Sequence, residues 1–253
     1  MLRREDRQRE ILRRLKPGEN HAIGRLAQDL VVSEETIRRE LRVLAARGAV
    51  VWTHGSVQLA VASSEGPLDR RMQENVAEKN RIAAAAAEFV RDGDTLFIDA
   101  GTTACFVARL LATSRQRLKV ITNSLVVAET LGGRNGNVLF LAGGELDYDY
   151  KAFSDHVAQT YIAQFTPHLA ILTVGGVHPD HGLMDRHARE AVMSRIVYER
   201  ADRVLLVADH TKFGRLGLIR TASPEEVDIL VTDQPLDDAY AQAFRRATVV
   251  IAP

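Results

Sequence analysis

The sequence predicts a mixed α/β protein in two parts: a small helical head closed by a β-hairpin, and a larger domain on a mostly parallel sheet. Three observations predict it. The first sixty residues run through three helix-period segments and then two strand-like runs, separated by turn residues. From Thr95 onward, six short apolar runs alternate with amphipathic segments, as parallel strands covered on both faces do. Between the two patterns lies Ser63-Ser64-Glu65-Gly66-Pro67, a linker composition. The expected division is residues 1–62, a connecting stretch 63–75 that opens a helix, and 76–253.

Arg3 to Lys16 predicts a helix with Ile11, Leu12 and Leu15 on one face, stopped by Pro17-Gly18. His21 to Ile23 is a short extended piece, and Ile23 to Leu30 a second helix carrying Leu26, Ala27 and Leu30 inward. Ser33 is placed to cap the third helix, Glu34 to Arg47, through the amide of Glu35 or Thr36, and Gly48 to end it. Ala49–Thr53 and Val57–Val61, joined by His54-Gly55-Ser56, form the hairpin. Three helices and a hairpin in this order are a winged helix-turn-helix pattern. Leu68 to Arg91 predicts one long helix closed by Asp92-Gly93-Asp94. The sheet strands follow at 95–99, 119–122, 138–141, 169–173, 204–208 and 229–232.

Composition narrows the class. Hydrophobic residues at 46% and charged residues at 26% exclude a disordered or low-complexity chain. No stretch approaches the ~18 apolar residues of a membrane span. The charged start MLRREDRQRE has no apolar core behind it, and Cys105 is the single cysteine; both lead to the expectation of a cytoplasmic protein. The zero net charge hides an asymmetry. Residues 1–66 hold 12 Lys/Arg against 9 Asp/Glu, leaving 21 against 24 in the rest, as expected of a polyanion-binding head on an acidic body.

On the third helix, Ile37, Leu41 and Leu44 share the docking face, Glu35, Arg39 and Arg42 point away, and Thr36 and Arg38 flank them. Arginine can pair bidentately with guanine, threonine can meet a thymine methyl, and further arginines neutralise phosphate. The expected partner is double-stranded operator DNA, with His54 at the wing tip as a further contact. In the sheet domain, four loops follow strands at the edge where parallel sheets bind ligands. They are Asp99 to Thr103 (with Gly101 and Thr102), Thr122-Asn123-Ser124, Ala142-Gly143-Gly144, and Asp209 to Gly214 with the cation Lys212. Glycine backbone, helix amides, hydroxyls and one lysine suit an anion.

Leu26-Ala27, the run Val32 to Leu41, Leu44 and Gly48 resemble the amino-terminal signature of the DeoR-type family of bacterial repressors. The resemblance extends over about residues 5–233 through Gly101-Thr-Thr, Thr122-Asn-Ser, Ala142-Gly-Gly-Glu-Leu and Asp209-His-Thr-Lys-Phe-Gly. It implies an effector domain sharing its fold with ribose-5-phosphate isomerase, and repression of a carbohydrate or polyol operon relieved by a phosphorylated sugar or polyol. Within the family the motifs are most similar to members responding to glycerol 3-phosphate, which makes that compound the leading effector. The recognition-helix roles fall on Ser33, Thr36, Arg38 and Arg39. Effector roles fall on Gly101, Thr102, Thr103, Thr122, Asn123, Gly143 and Lys212, with His187 and Glu190 as hydroxyl-binding candidates. Departures are Glu40 for the usual Asp, Val51 and Trp52 for a basic pair on the wing, Ser56 for a Gly, Asp155 for a Gly, and the loop Thr173 to Val177. A carboxylate at 155 would repel a phosphate beside it.

The rival class is a sugar-phosphate isomerase-like enzyme with an accessory DNA-binding domain. Its chemistry needs a carboxylate base, and Thr173 to Val177 contains none, so no catalytic residue is expected. His178, His181 and His187 do not share one helical face, so no metal and no cofactor is expected. A homo-oligomer, dimer or tetramer, is expected because one head contacts few phosphates. Effector occupancy is expected to reach the heads through the Leu68–Arg91 helix.

Overall fold

The computed structural model describes residues 4–15, 19–46, 50–53, 55–59 and 67–253. Pro17-Gly18, Gly48, His54 and the 63–66 part of the linker lie outside the described residues.

In the head, α1 (Arg4–Arg14), α2 (Ile23–Asp29) and α3 (Glu34–Ala46) pack around Ile11, Leu15, Ile23, Leu26, Ile37, Leu41 and Leu44, all buried. Ser33 caps α3 as expected, its hydroxyl accepting from the Thr36 amide at 3.2 Å. Strands β1 (His21–Ala22), β2 (Val50–Thr53) and β3 (Ser56–Leu59) form an antiparallel sheet in the order β1-β3-β2. Gly55, at φ 82, supplies the left-handed turn of the wing. Glu40 ties α1 to α3. Fully buried, its carboxylate accepts from Arg7 at 2.5 Å and Gln8 at 2.7 Å. A buried charge persists only with such partners.

The stretch 68–91 is not one helix. It is α4 (Leu68–Arg71) and α5 (Val76–Ala87), broken where Asn75 adopts φ 50. The buried Lys79 holds the break, its ammonium donating to the carbonyls of Arg71 (2.6 Å), the last residue of α4, and of Glu74 (2.7 Å) in the turn that follows. Leu68, also buried, donates its amide to the Asp149 carbonyl at 2.6 Å.

The remainder is built on seven parallel strands: β4 (Thr95–Ile98), β5 (Lys119–Thr122), β6 (Val138–Leu141), β9 (Leu169–Leu172), β12 (Val204–Val207), β14 (Ile229–Thr232) and β15 (Thr248–Ile251). The spatial order is β15-β14-β12-β9-β4-β5-β6. The first six match the apolar runs of the sequence. The last, the apolar run Val249-Val250-Ile251 behind Thr248, was not assigned from the sequence and forms a mostly exposed edge strand. Helices α5, α6 (Thr102–Ser114) and α7 (Leu125–Leu131) build one apolar layer with Ile82, Leu96, Val107 and Leu111. Helices α8 (His156–Ile162), α9 (Ala188–Arg200) and α10 (Asp238–Ala243) build the other with Phe97, Ile162, Met193 and Phe244. Two small antiparallel pieces sit apart: the ribbon β7 (Leu146–Asp147) with β8 (Ala152–Phe153), and a sheet ordered β10 (Gly176–His178), β11 (Gly182–Asp185), β13 (Ile219–Ala222).

Candidate functional site

Strand order locates the ligand site. From β4 the chain adds β5 and β6 on one side, then crosses to β9 on the other, so the loops after β4 and β9 diverge. A parallel sheet opens a crevice at such a point. Here a cavity is lined by Asp99 to Thr103 after β4 and by Thr173 to Gly175 after β9. Gly101 is required there, since a Cβ would overlap the Thr173 side chain. Asp99 binds the two loops together, accepting from the Thr173 amide at 3.1 Å and from its hydroxyl. Helix α6 begins at Thr102 with no side chain capping it, so its first amides face the crevice.

Around this floor the fold gathers Arg71 of α4, Asn123, Asp147, Tyr150, Asp185, Arg186, Glu190 and Lys212. Asp185 is occupied with the frame, accepting from the Gly175 amide (3.1 Å) and the Thr221 hydroxyl (2.8 Å). Asn123 is buried; its amide nitrogen donates to the Phe153 carbonyl at 3.1 Å, while its Oδ1 has no partner among the described residues. A buried acceptor left open in a cavity wall suits a ligand hydroxyl. The Arg71 guanidinium lies 4.8 Å over the Tyr150 ring, and the Tyr150 hydroxyl meets His187 Nε2 at 3.1 Å. Stacking of this kind pre-orients an arginine fork for an oxyanion. Beneath, burial and then Asp99 push the Cys105 thiol up to about 12, so it stays neutral.

Of the residues singled out in the sequence, Gly101, Thr102, Thr103, Asn123, Glu190 and Lys212 line this one cavity, and His187 lines an adjoining pocket that shares Glu190. The others lie elsewhere. Thr122 is fully buried, donating to the Ile98 carbonyl at 2.6 Å and accepting from the Ser124 amide. Ser124 caps α7 through the Val127 amide. Gly144, at φ 132, leaves room for Asp155, and neither it nor Gly143 lines the cavity. Asp155 is not among the residues lining the crevice: it caps α8 through Ala158 and also accepts from the Glu145 amide, bonds that hold its pKa low. Arg71, Tyr150 and Arg186 were missed. Only a basic residue just after a linker hinted at the first; the other two carry no local motif.

The histidines do not converge. The His178 and His181 rings meet at a tilt with centroids 4.7 Å apart, whereas His187 meets the Tyr150 hydroxyl. Among the described residues no group of three His, Cys, Asp or Glu could hold a metal ion.

In the head, Ile37, Leu41 and Leu44 are buried as the wheel predicts, while Glu35, Arg39 and Arg42 are exposed. Arg38 reaches Glu34 at 2.7 Å, and Arg42 lies 3.8 Å from Glu35. The Ser33 and Thr36 hydroxyls meet at 2.9 Å at the α3 amino end. The result is a cationic helix face with its amino end outward, the geometry of a major-groove reader.

Compared with known proteins, residues 7–62 match the family described as the DeoR-like helix-turn-helix domain, and residues 74–234 the DeoR C terminal sensor domain. The transcriptional repressor AccR of Agrobacterium fabrum is 36% identical over 231 residues, spanning 90% of this chain and 89% of its own. The glycerol-3-phosphate regulon repressor of Escherichia coli is 36% identical over 210 residues, 83% of each chain. A ribose-5-phosphate isomerase structure overlaps 57% of this chain and 54% of its own at 16% identity and a TM-score of 0.39, too slight a likeness to carry an argument. Among the described residues no helix is long and apolar enough to cross a membrane.

Proposed function

The chain belongs to the DeoR family of transcriptional repressors, and from that premise we propose that it represses a carbohydrate or polyol catabolic operon and leaves its operator when a phosphorylated sugar or polyol fills the switch-point crevice. Glycerol 3-phosphate is the leading candidate, a reading favoured by the similarity to the Escherichia coli glycerol-3-phosphate regulon repressor. The working division is residues 1–62 for DNA, 63–75 for the connection and 76–253 for the effector.

One observation carries the effector half. Uncapped α6 amides at Gly101 to Thr103 face the same cavity as the cations Arg71 and Lys212, with Asn123 and Glu190 beside them. Amides and cations receive the phosphate; Asn123, Glu190 and His187 meet the hydroxyls. Thr122, Ser124, Gly143 and Gly144 shape the loops. Operator contacts fall to Ser33, Glu35, Thr36, Arg38, Arg39 and Arg42, with His54 of the wing as a further contact. The working form is a cytoplasmic homo-oligomer, a dimer or tetramer, placing two or more heads on one operator.

The test is a fluorescence-anisotropy titration of the full chain on its own upstream DNA, at fixed salt, with and without glycerol 3-phosphate. Operator affinity is expected to fall ~5–150-fold at saturating effector. Affinity unchanged across a panel of phosphorylated sugars and polyols overturns the proposal.

A further inference from the structure

One loop touches both halves of the molecule. Residues 209–217 run between β12 and β13, and Lys212 in this loop lines the switch-point crevice. The next two residues, Phe213 and Gly214, line a separate cavity of about 460 Å³ between the sheet domain and the head, where Glu10, Arg13 and Leu44 form the far wall. Four residues past Lys212, Leu216 is buried, and it belongs to the head's apolar cluster with Ile11, Leu15, Leu41 and Leu44, not to either sheet-domain cluster. Four residues span at most ~14 Å, so the ligand-side cation and the head-side anchor share one short tether.

That tether is clamped between α10 and the β10–β11 hairpin. Phe213 packs edge-on against Tyr240 at 5.1 Å, and the Gly214 amide donates to the Val177 carbonyl at 2.9 Å. Gly176 lies so near the Arg215 carbonyl that a Cβ would approach it to 2.5 Å, and Gly217 is equally close to the Asp185 carbonyl. Asp185 itself lines the crevice. A displacement at Lys212 therefore has little slack to be absorbed in, because packed interfaces shift as units. At the far end, Leu44 sits on the buried face of the recognition helix α3 and also lines the interdomain cavity. That cavity leaves the head incompletely seated on the body, with room to shift.

We propose that residues 209–217 are an induction strap: an effector anion gripped at Lys212 displaces the strap, and Leu216 carries the displacement into the packing behind α3. This rests on the effector-release reading and names its route, which is the loop and not the interrupted 68–91 stretch. A ligand moves such an equilibrium only by binding one arrangement better than the other.

The test uses the full chain with Leu216→Ala. Calorimetry measures binding of glycerol 3-phosphate, and of glucose 6-phosphate as a second probe. Anisotropy measures operator affinity with and without each compound, and circular dichroism checks folding. Wild type is expected to lose ~5–150-fold in operator affinity with effector; Leu216→Ala keeps the effector affinity while that ratio collapses toward one. A folded Leu216→Ala protein with the wild-type ratio overturns the strap and leaves the effector reading standing. A wild type that ignores both phosphorylated probes overturns both. Should Leu216→Ala fail to fold, hydrogen exchange on the wild type decides. Effector is expected to change protection at residues 11–15 and 41–44 as well as 209–217, and a change confined to the loop overturns the strap.

Discussion

Two buried polar side chains, Glu40 and Asn123, set the residue-scale expectations, one through bonds it makes and the other through a bond it leaves open. The Glu40 carboxylate neutralises Arg7, which is itself only 7% exposed. Glu40→Ala takes a charge partner from that guanidinium in the head's interior, and removing one partner of a buried pair costs up to ~3–5 kcal/mol. Urea unfolding is expected to register a loss of that size, with Glu40→Gln losing less because it keeps an acceptor; a loss below ~1 kcal/mol would mean Arg7 reaches water. Asn123 offers the opposite case, an open Oδ1 in the crevice wall. Asn123→Ala is expected to weaken effector binding about tenfold, the worth of one hydrogen bond. Lys212→Ala removes a cation from the crevice wall; operator affinity without effector should stay at the wild-type value while induction is blunted, and anisotropy with and without glycerol 3-phosphate reads both.

At the scale of elements, the β10–β11 hairpin carries a pH dependence. His178 is buried, and its Nδ1 accepts from the backbone amides of Asp180 (3.2 Å) and His181 (3.3 Å), which only an unprotonated nitrogen can do. Burial first, and the neighbouring His181 second, hold its pKa down to about 4. The unfolded chain takes up that proton below ~6.5 and the folded chain does not, so the stabilisation is complete above ~6.5 and is lost as pH falls toward 4. By linkage the loss approaches ~3 kcal/mol. Thermal melts at pH 7.5 and 4.5 are expected to diverge more for wild type than for His178→Asn, and equal divergence would remove His178 from the account. Elements of this kind separate what was legible from what was not. Six sheet strands were readable as unbroken apolar runs, whereas Thr248–Ile251, as apolar as they are, closes an exposed edge of the sheet and was left unassigned. The 68–91 helix was overextended because Ala83 to Ala87 keeps helical character, and the break at Asn75 depends on where Lys79 places its ammonium. Gly101 to Thr103 was readable as a strand–turn–helix motif. Arg71 and Arg186 reach the same cavity only through tertiary folding, and Thr122 and Ser124, alike in chemistry to Thr102 and Thr103, spend their hydroxyls on backbone.

At the scale of the whole molecule, a chain of net charge zero has no general attraction for DNA, so its affinity must come from the local face of α3. That face presents Arg38, Arg39 and Arg42. Each phosphate neutralised releases counterions and contributes ~0.9 to the slope of log affinity against log salt. One head using all three arginines would therefore give a slope of about −2.7, and two heads on a symmetric operator about −5.4. The expected slope for the full chain is that of two heads, about −5.4 with Arg39 on phosphate and about −3.6 with Arg39 on a base edge, because a single head contacts too little DNA for tight specific binding. Arg39→Ala separates the two kinds of contact. If Arg39 reads a base edge, affinity for the cognate site falls by ~1–3 kcal/mol per head while the slope barely moves. If it meets phosphate, the slope drops by about one for each head engaged, and affinity falls on every sequence alike. Effector binding should stay unchanged in either case, since Arg39 lies on the head and the crevice lies in the sheet domain. A wild-type slope near −2.7 would sink the oligomer and leave one head per operator.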